Sequence, residues 1–194
     1  IIEAENKIVS VRGKDETVVG YHSKKRIQRS KRKNWYDLKT HITKRGGNNS
    51  ILVPRFIFRQ YLVLWNQAQH VTGEQFIEFR PKLGFSEKVY LAILNSTLCE
   101  LMFRAHAQIY GGGTNNMSPG EFKKMPIIDP SLISSKHREN LEKAYDHFIQ
   151  NNMNRSEIDK QIINILDFDA DTAKRIKSTL NKIIYSSTGS KPND

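Results

Sequence analysis

Seven cations in ten residues, Lys24, Lys25, Arg26, Arg29, Lys31, Arg32 and Lys33, form the densest chemistry in this sequence. Aromatic and amide side chains follow: Asn34, Trp35, Tyr36, His41, Asn48 and Asn49. Like charges held together repel unless a polyanion relieves them. Nucleic acid does so while releasing condensed counterions, which makes binding weaken steeply with salt. A solvated basic loop, an anionic membrane surface and an acidic protein compete for the same run. A localisation signal does too, although short basic runs carry little specificity. Trp35 and Trp65 are able to stack on bases, with a hydrophobic anchor as the plainer role for each.

Motifs for catalysis are scarce. Gly111-Gly112-Gly113 lacks both the Gly-Lys-Ser/Thr ending and the Gly-x-Gly-x-x-Gly spacing of phosphate loops. It reads as a turn at a helix end, with a close backbone contact to phosphate or base as the second reading. Asp37-x-Lys39 and Glu121-x-Lys123 match the last fragment of a nuclease metal motif, a triplet that any Lys-rich sequence produces by chance. The six histidines show no metal-ligand spacing, and His106 reads as a packed or hydrogen-bonded residue. Cys99 is the single cysteine, which excludes a disulfide framework and a Cys-based zinc site and makes a reducing, cytoplasmic setting the default. It is expected to be a small, inert core residue.

These side chains sit on 194 residues with 38% hydrophobic and 26% charged content, neither disordered nor membranous in composition. No apolar run approaches the ~20 residues that span a bilayer. The net charge of +11 is uneven: residues 17–73 hold twelve basic residues and one acid, and the remainder is neutral. The chain begins Ile1-Ile2-Glu3 and its first methionine is Met102, so it is expected to be part of a longer polypeptide.

The first half reads as strands and loops. Thr17–Tyr21, Ile51–Arg55, Phe56–Trp65 and Gln75–Arg80 are rich in β-branched and aromatic residues. Pro54 breaks the run or sits at an edge, and Thr43–Ser50 is a glycine-and-asparagine loop. From Ser86 the period changes. Val89, Tyr90, Ile93, Leu94, Leu98, Leu101, Met102, Ala105 and Ile109 recur at helical steps, predicting one long core helix capped by Ser86 and ended by Gly111–Gly113. Ser118-Pro119-Gly120-Glu121 starts a short helix that Pro126 closes. Three amphipathic stripes follow: Leu141, Ala144, Tyr145, Phe148 and Ile149; then Ile158, Ile162, Ile163 and Leu166; then Ala173, Ile176, Leu180 and Ile183. Ser156 and Asp169 are the expected caps of the second and third. The fold class is therefore α+β: a β-rich N-terminal half with a long core helix, then a C-terminal helical subdomain. The expected domains are 1–133 and 134–185, with a disordered tail over 186–194.

Five phrases in order carry a family likeness. They are Trp35-Tyr36-Asp37-Leu38, Ile51-Leu52-Val53-Pro54-Arg55, Leu91–Ser96, Tyr110–Gly113, and Met117-Ser118-Pro119-Gly120-Glu121-Phe122-Lys123-Lys124-Met125-Pro126-Ile127. Together they span residues 34–129 and resemble the C-terminal target-recognition region of TaqI-like N6-adenine DNA methyltransferases of restriction-modification systems. That family's N-terminal domain binds S-adenosylmethionine and carries an Asn/Asp/Ser-Pro-Pro-Tyr/Phe motif for the flipped adenine. This chain contains no Pro-Pro pair, so the resemblance implies a recognition domain without the catalytic half.

The resemblance also divides the labour. Residues 24–33 would position duplex DNA through its phosphates, which sets register without reading sequence. Arg45, Arg55, Arg59, Asn48 and Asn49 would read base edges by paired hydrogen bonds. Tyr110, Gly111, Gly112, Gly113, Thr114, Asn115 and Asn116 would form a close-approach loop. The implied partners are double-stranded DNA and a methyltransferase domain in the same parent chain, with no membrane. S-adenosylmethionine is expected in the parent and not in this portion. A fragment of a separate specificity subunit, and a metal-dependent nuclease using Asp37 or Glu121, are the alternatives.

Overall fold

The computed structural model describes residues 8–11, 14–19, 51–68, 70, 72–82 and 84–188. The chain divides into two compact units, Ile1–Arg45 and Gly46–Asp194. In the first, β1 (Ile8–Val11) pairs antiparallel with β2 (Lys14–Val19), from Ile8 opposite Val19 to Val11 opposite Lys14.

The second unit begins with β3 (Ile51–Pro54), whose first three residues are all buried. Both faces of this strand are covered, as expected for a continuous β-branched run at the centre of a sheet. It is flanked antiparallel by β5 (Leu64–Trp65) and β6 (Phe76–Phe79). Pro54 ends β3, as its missing N–H requires, and β4 (Phe56–Ile57) leaves for a second sheet. There it pairs with β8 (Thr114–Asn116), which pairs in turn with β7 (Gln108–Tyr110). The expected Phe56–Trp65 strand is thus two short strands joined by an irregular stretch.

The expected long core helix is also two elements, α1 (Glu87–Asn95) and α2 (Thr97–His106). Ser96 separates them in an extended conformation at φ −68°, ψ 155°. Its hydroxyl donates to the Ile93 carbonyl at 2.7 Å and accepts from Cys99 N–H at 3.1 Å, closing one helix and capping the next. Asn95, fully buried, reinforces the break: its Oδ1 accepts from Val63 N–H and its Nδ2 donates to the Val63 and Leu91 carbonyls, all within 3.0 Å. The expected stripe does not carry through the break: α2 buries Cys99, Glu100, Phe103 and Arg104, while Leu98, Leu101 and Met102 are half-buried and Ala105 is exposed.

α2 ends at His106, whose ring nitrogen bonds the Met102 carbonyl at 2.8 Å. Ile109 is therefore on a strand, and Gly111–Gly113 turns one strand into the next instead of ending a helix. Ser118 caps α3 (Pro119–Lys124) as expected, accepting from Glu121 N–H at 3.1 Å.

α4 (Ser135–Gln150) packs Leu141, Ala144, Tyr145 and Phe148 against α1, while Ile149, expected in that stripe, is exposed. α5 (Ser156–Ile165) buries Ile158 and Ile162 and packs on α4. Its first N–H, that of Ser156, is satisfied by Asn154 Oδ1, so Ser156 is not the cap. α6 (Ala170–Thr188) is capped by Asp169, whose Oδ1 accepts from Thr172 N–H at 2.7 Å. Helix extends through Ser186–Thr188, and residues 189–194 lie outside the described ones. The architecture is mixed α+β, with small antiparallel sheets first and helices after.

Candidate nucleic-acid interface

The sheet β4–β8–β7 positions most of the described residues that sequence reasoning singled out. Strand alternation puts Phe56, Asn116 and Gln108 in one cross-strand row and Ile57, Asn115 and Ile109 in the row facing the other way. Tyr110 and Thr114, also paired, share the first face. Ile57 and Asn115 point into the protein and are buried; Phe56 is 49% exposed, Tyr110 54%, and Gln108 is exposed beside them. Ile109, on the edge strand, overhangs the core and is 68% exposed.

The outer face therefore presents two aromatic rings, two amides and a threonine, with no charged residue. A face with this composition suits flat, hydrogen-bonding surfaces. Amides can satisfy a donor and an acceptor of a base edge together, and aromatic rings offer stacking area. Asn116 Oδ1 is shielded from water and has no hydrogen-bond partner among the described residues. Such an atom normally finds a partner, and here a base edge would reach it only after the side chain turns outward.

Arg55 stands where β3 leads into β4. Its N–H donates to the Gln75 carbonyl and its carbonyl accepts from Met117 N–H, each at 2.8 Å, so the residue ties the two sheets together. Its Nη1 donates to the Glu74 carbonyl at 3.2 Å, its guanidinium lies 5.4 Å from the Phe56 ring, and its buried Nε has no partner. Arg59 is exposed, with its guanidinium 5.5 Å from the Phe58 ring.

The stretch carrying Phe58 and Arg59 is held from below by a charge network that sequence reading missed. Glu100 and Arg104, four residues apart on α2, are both buried, and Glu100 Oε1 accepts from Arg104 at 2.7 Å. Arg104 also donates to the Phe58 and Arg59 carbonyls at 3.2 and 3.3 Å. Arg155 joins Glu100 Oε2 and the Tyr61 carbonyl from just before α5. Helical spacing alone would make Glu100–Arg104 a surface pair; nothing local marks it as buried.

The glycine turn is tight and open. Gly112 and Gly113 each have φ +79°, and a Cβ on Gly112 would meet nothing within 4 Å. Asn115 Nδ2 donates to the Gly113 carbonyl at 3.3 Å while its buried Oδ1 stays unpartnered. Asn115 thus shapes the hairpin from inside, and the amides on the outer face are Asn116, half-buried and part of the expected loop, and Gln108, exposed, which sequence reading passed over. Strand parity was the only signal for Gln108, and it became legible once the helix was known to end before that residue.

Other assignments take structural places. Cys99 is buried against Tyr61, and burial pushes its thiol up to about 12, so it is inert. Trp65 is half-buried and packs edge-on to Tyr145. Glu121 accepts from Lys124 at 2.9 Å within α3. The glycine turn joins two strands, not a strand to a helix. Among the described residues, no helix is long and apolar enough to cross a membrane. Lys24, Lys25, Arg26, Arg29, Lys31, Arg32, Lys33, Arg45, Asn48 and Asn49 lie outside the described residues, as do Trp35 and Asp37.

A family model, that of the type II methyltransferase M.Eco57I C-terminal domain, matches residues 16–166. No curated protein and no solved structure matches the chain.

Proposed function

The chain belongs to the type II methyltransferase M.Eco57I C-terminal domain family, and from that membership we propose that it is the DNA target-recognition domain of an adenine-N6 methyltransferase of a restriction-modification or related defence system. The observation that supports this reading best is the charge-free outer face of β4–β8–β7, built of Phe56, Gln108, Tyr110, Thr114 and Asn116. Gln108 and Asn116 read base edges, Phe56 and Tyr110 stack or fill, and Arg55 and Arg59 border the face. The cations of residues 24–33 supply phosphate contacts, and Arg45, Asn48 and Asn49 supply groove contacts. Methyl transfer is work for a separate domain of the parent, where S-adenosylmethionine binds. Extruding the target adenine costs a few kcal/mol of stacking and pairing, which a firm grip on the flanking duplex offsets.

Selection of duplexes from a randomised pool tests the reading, with affinity for the selected duplex then measured at several salt concentrations. One sequence should be enriched, bound with steep salt dependence, and left unmethylated by the chain alone. Substituting Gln108→Ala and Asn116→Ala should relax the preference at one or two base positions, each weakened by about 1–3 kcal/mol of discrimination. An unenriched pool together with salt-indifferent affinity would rule the reading out.

A further inference from the structure

The last helix carries a second cationic surface. α6 holds Lys174, Arg175, Lys177 and Lys182, all exposed, and no acid after Asp171. Lys174, Ser178 and Lys182 are spaced i, i+4, i+8 and form one stripe, with the two lysines about 12 Å apart along the axis. The opposite side is apolar: Leu180 is buried, and Ala173, Ile176, Ile183 and Ile184 are half-buried. Asp167, Asp169 and Asp171 gather at the N-terminal end, where the helix dipole favours them and where Asp169 serves as cap. The charge is therefore sorted along the helix: Arg175 lies near the Asp169 carboxylate, Lys174 one turn beyond Asp171, and no acid follows them in α6.

Position gives this surface its meaning. α6 packs on α2 and lies against the Gly111–Gly113 turn of the hairpin that carries Gln108, Tyr110 and Asn116. Gly112 in that turn is exposed, and a Cβ on it would meet nothing within 4 Å. The family match ends at residue 166, before α6 begins.

We propose that the exposed cationic stripe of α6, Lys174, Arg175 and Lys182 with Ser178, grips the DNA phosphate backbone beside the site that the β7–β8 hairpin occupies. The inference rests on the recognition reading above and adds a phosphate clamp outside the family-matched region. A lysine-rich helix face of this kind carries no base information, so it raises affinity equally for every duplex.

The test is a triple substitution, Lys174→Gln, Arg175→Gln and Lys182→Gln, in the full chain, with a thermal melt to confirm that these surface changes leave the fold intact. Selected and scrambled duplexes are titrated across salt concentrations. Each lost phosphate contact removes about 0.9 from the slope of log affinity against log salt. The expected result is a slope shallower by about 2 to 3, equal for both duplexes, with the selected sequence unchanged. A parent chain that binds DNA and a variant with the same slope would overturn the clamp and leave the recognition reading standing. A parent chain with no salt-dependent binding would remove the recognition reading, and the clamp with it. Loss of affinity for anionic vesicles without loss for duplex would overturn the clamp in favour of a lipid surface.

Discussion

Glu100 shows how much depends on a single carboxylate in this protein. It is buried between Arg104 and Arg155, and those two guanidiniums also hold the carbonyls of Phe58, Arg59 and Tyr61. Truncating it leaves two charges with no counter-ion in a site that water reaches poorly. Glu100→Ala should therefore destabilise the fold by about 3–5 kcal/mol, read as a lower midpoint in urea. A replacement of all three charges by apolar residues of similar volume should cost far less, since buried pairs often do no more than offset their own desolvation. If Glu100→Ala unfolds as readily as the parent chain, the network is not what holds residues 58–61. The sequence did not reveal this because a Glu and an Arg four residues apart are the ordinary mark of a solvated helix face. Asn95 and Ser96 show the opposite case. Their phrase was legible as part of a family likeness, but its role is internal: an amide clasping the Val63 peptide and a hydroxyl joining two helices.

Among the elements, the hairpin was the hardest to read from sequence. Gly111–Gly113 signals a turn, but the apolar period leading to Ile109 made the preceding segment look helical. The deciding feature is long-range: β8 pairs with β4, which lies more than fifty residues earlier, and a local period carries no trace of that pairing. Helices α4 to α6 were legible because each has its own stripe, α3 because Ser118 and Pro119 mark its start and Pro126 its end, and the cap side chains of α3 and α6 stand where expected. The turn supports a paired prediction. Gly112 has φ +79° with empty space where a Cβ would go, so Gly112→Ala should cost about 1–2 kcal/mol through backbone strain alone. Gly120 lies in α3 with a Cβ position 3.7 Å from Ser118 Oγ, an ordinary contact. Gly120→Ala should therefore stabilise, by about 0.5–1 kcal/mol. Denaturant titration of the two variants should move the midpoint in opposite directions, and a shift of the same sign for both would contradict the turn geometry.

At the scale of the whole molecule, the basic excess is concentrated in the first part of the chain, and the core of the described residues lies in the second. Residues 1–45 hold thirteen basic and five acidic residues, +8 of the net +11, including the seven cations of 24–33. Among the described residues, the buried apolar cluster runs from Ile51 to Ile162, within Gly46–Asp194. Hydrophobic burial drives folding, while charge excess acts on association and solubility and not on fold. A chain of residues 46–194 should then unfold in one cooperative transition with a midpoint near that of the full chain. Its affinity for duplex DNA should fall at low salt, and its salt slope should be shallower by as much as about 6 if all seven cations contact phosphate. Its preference among sequences should persist in part, because Gln108 and Asn116 remain. Calorimetry and titration across salt concentrations check the two halves of this expectation separately. A shortened chain that melts cooperatively and keeps the full slope would place the phosphate contacts on the retained unit. α6 and the arginines beside β4 would then be the main grip, and the basic run a solvated tail. A shortened chain that no longer folds would mean that residues 1–45 are needed to complete the fold of Gly46–Asp194.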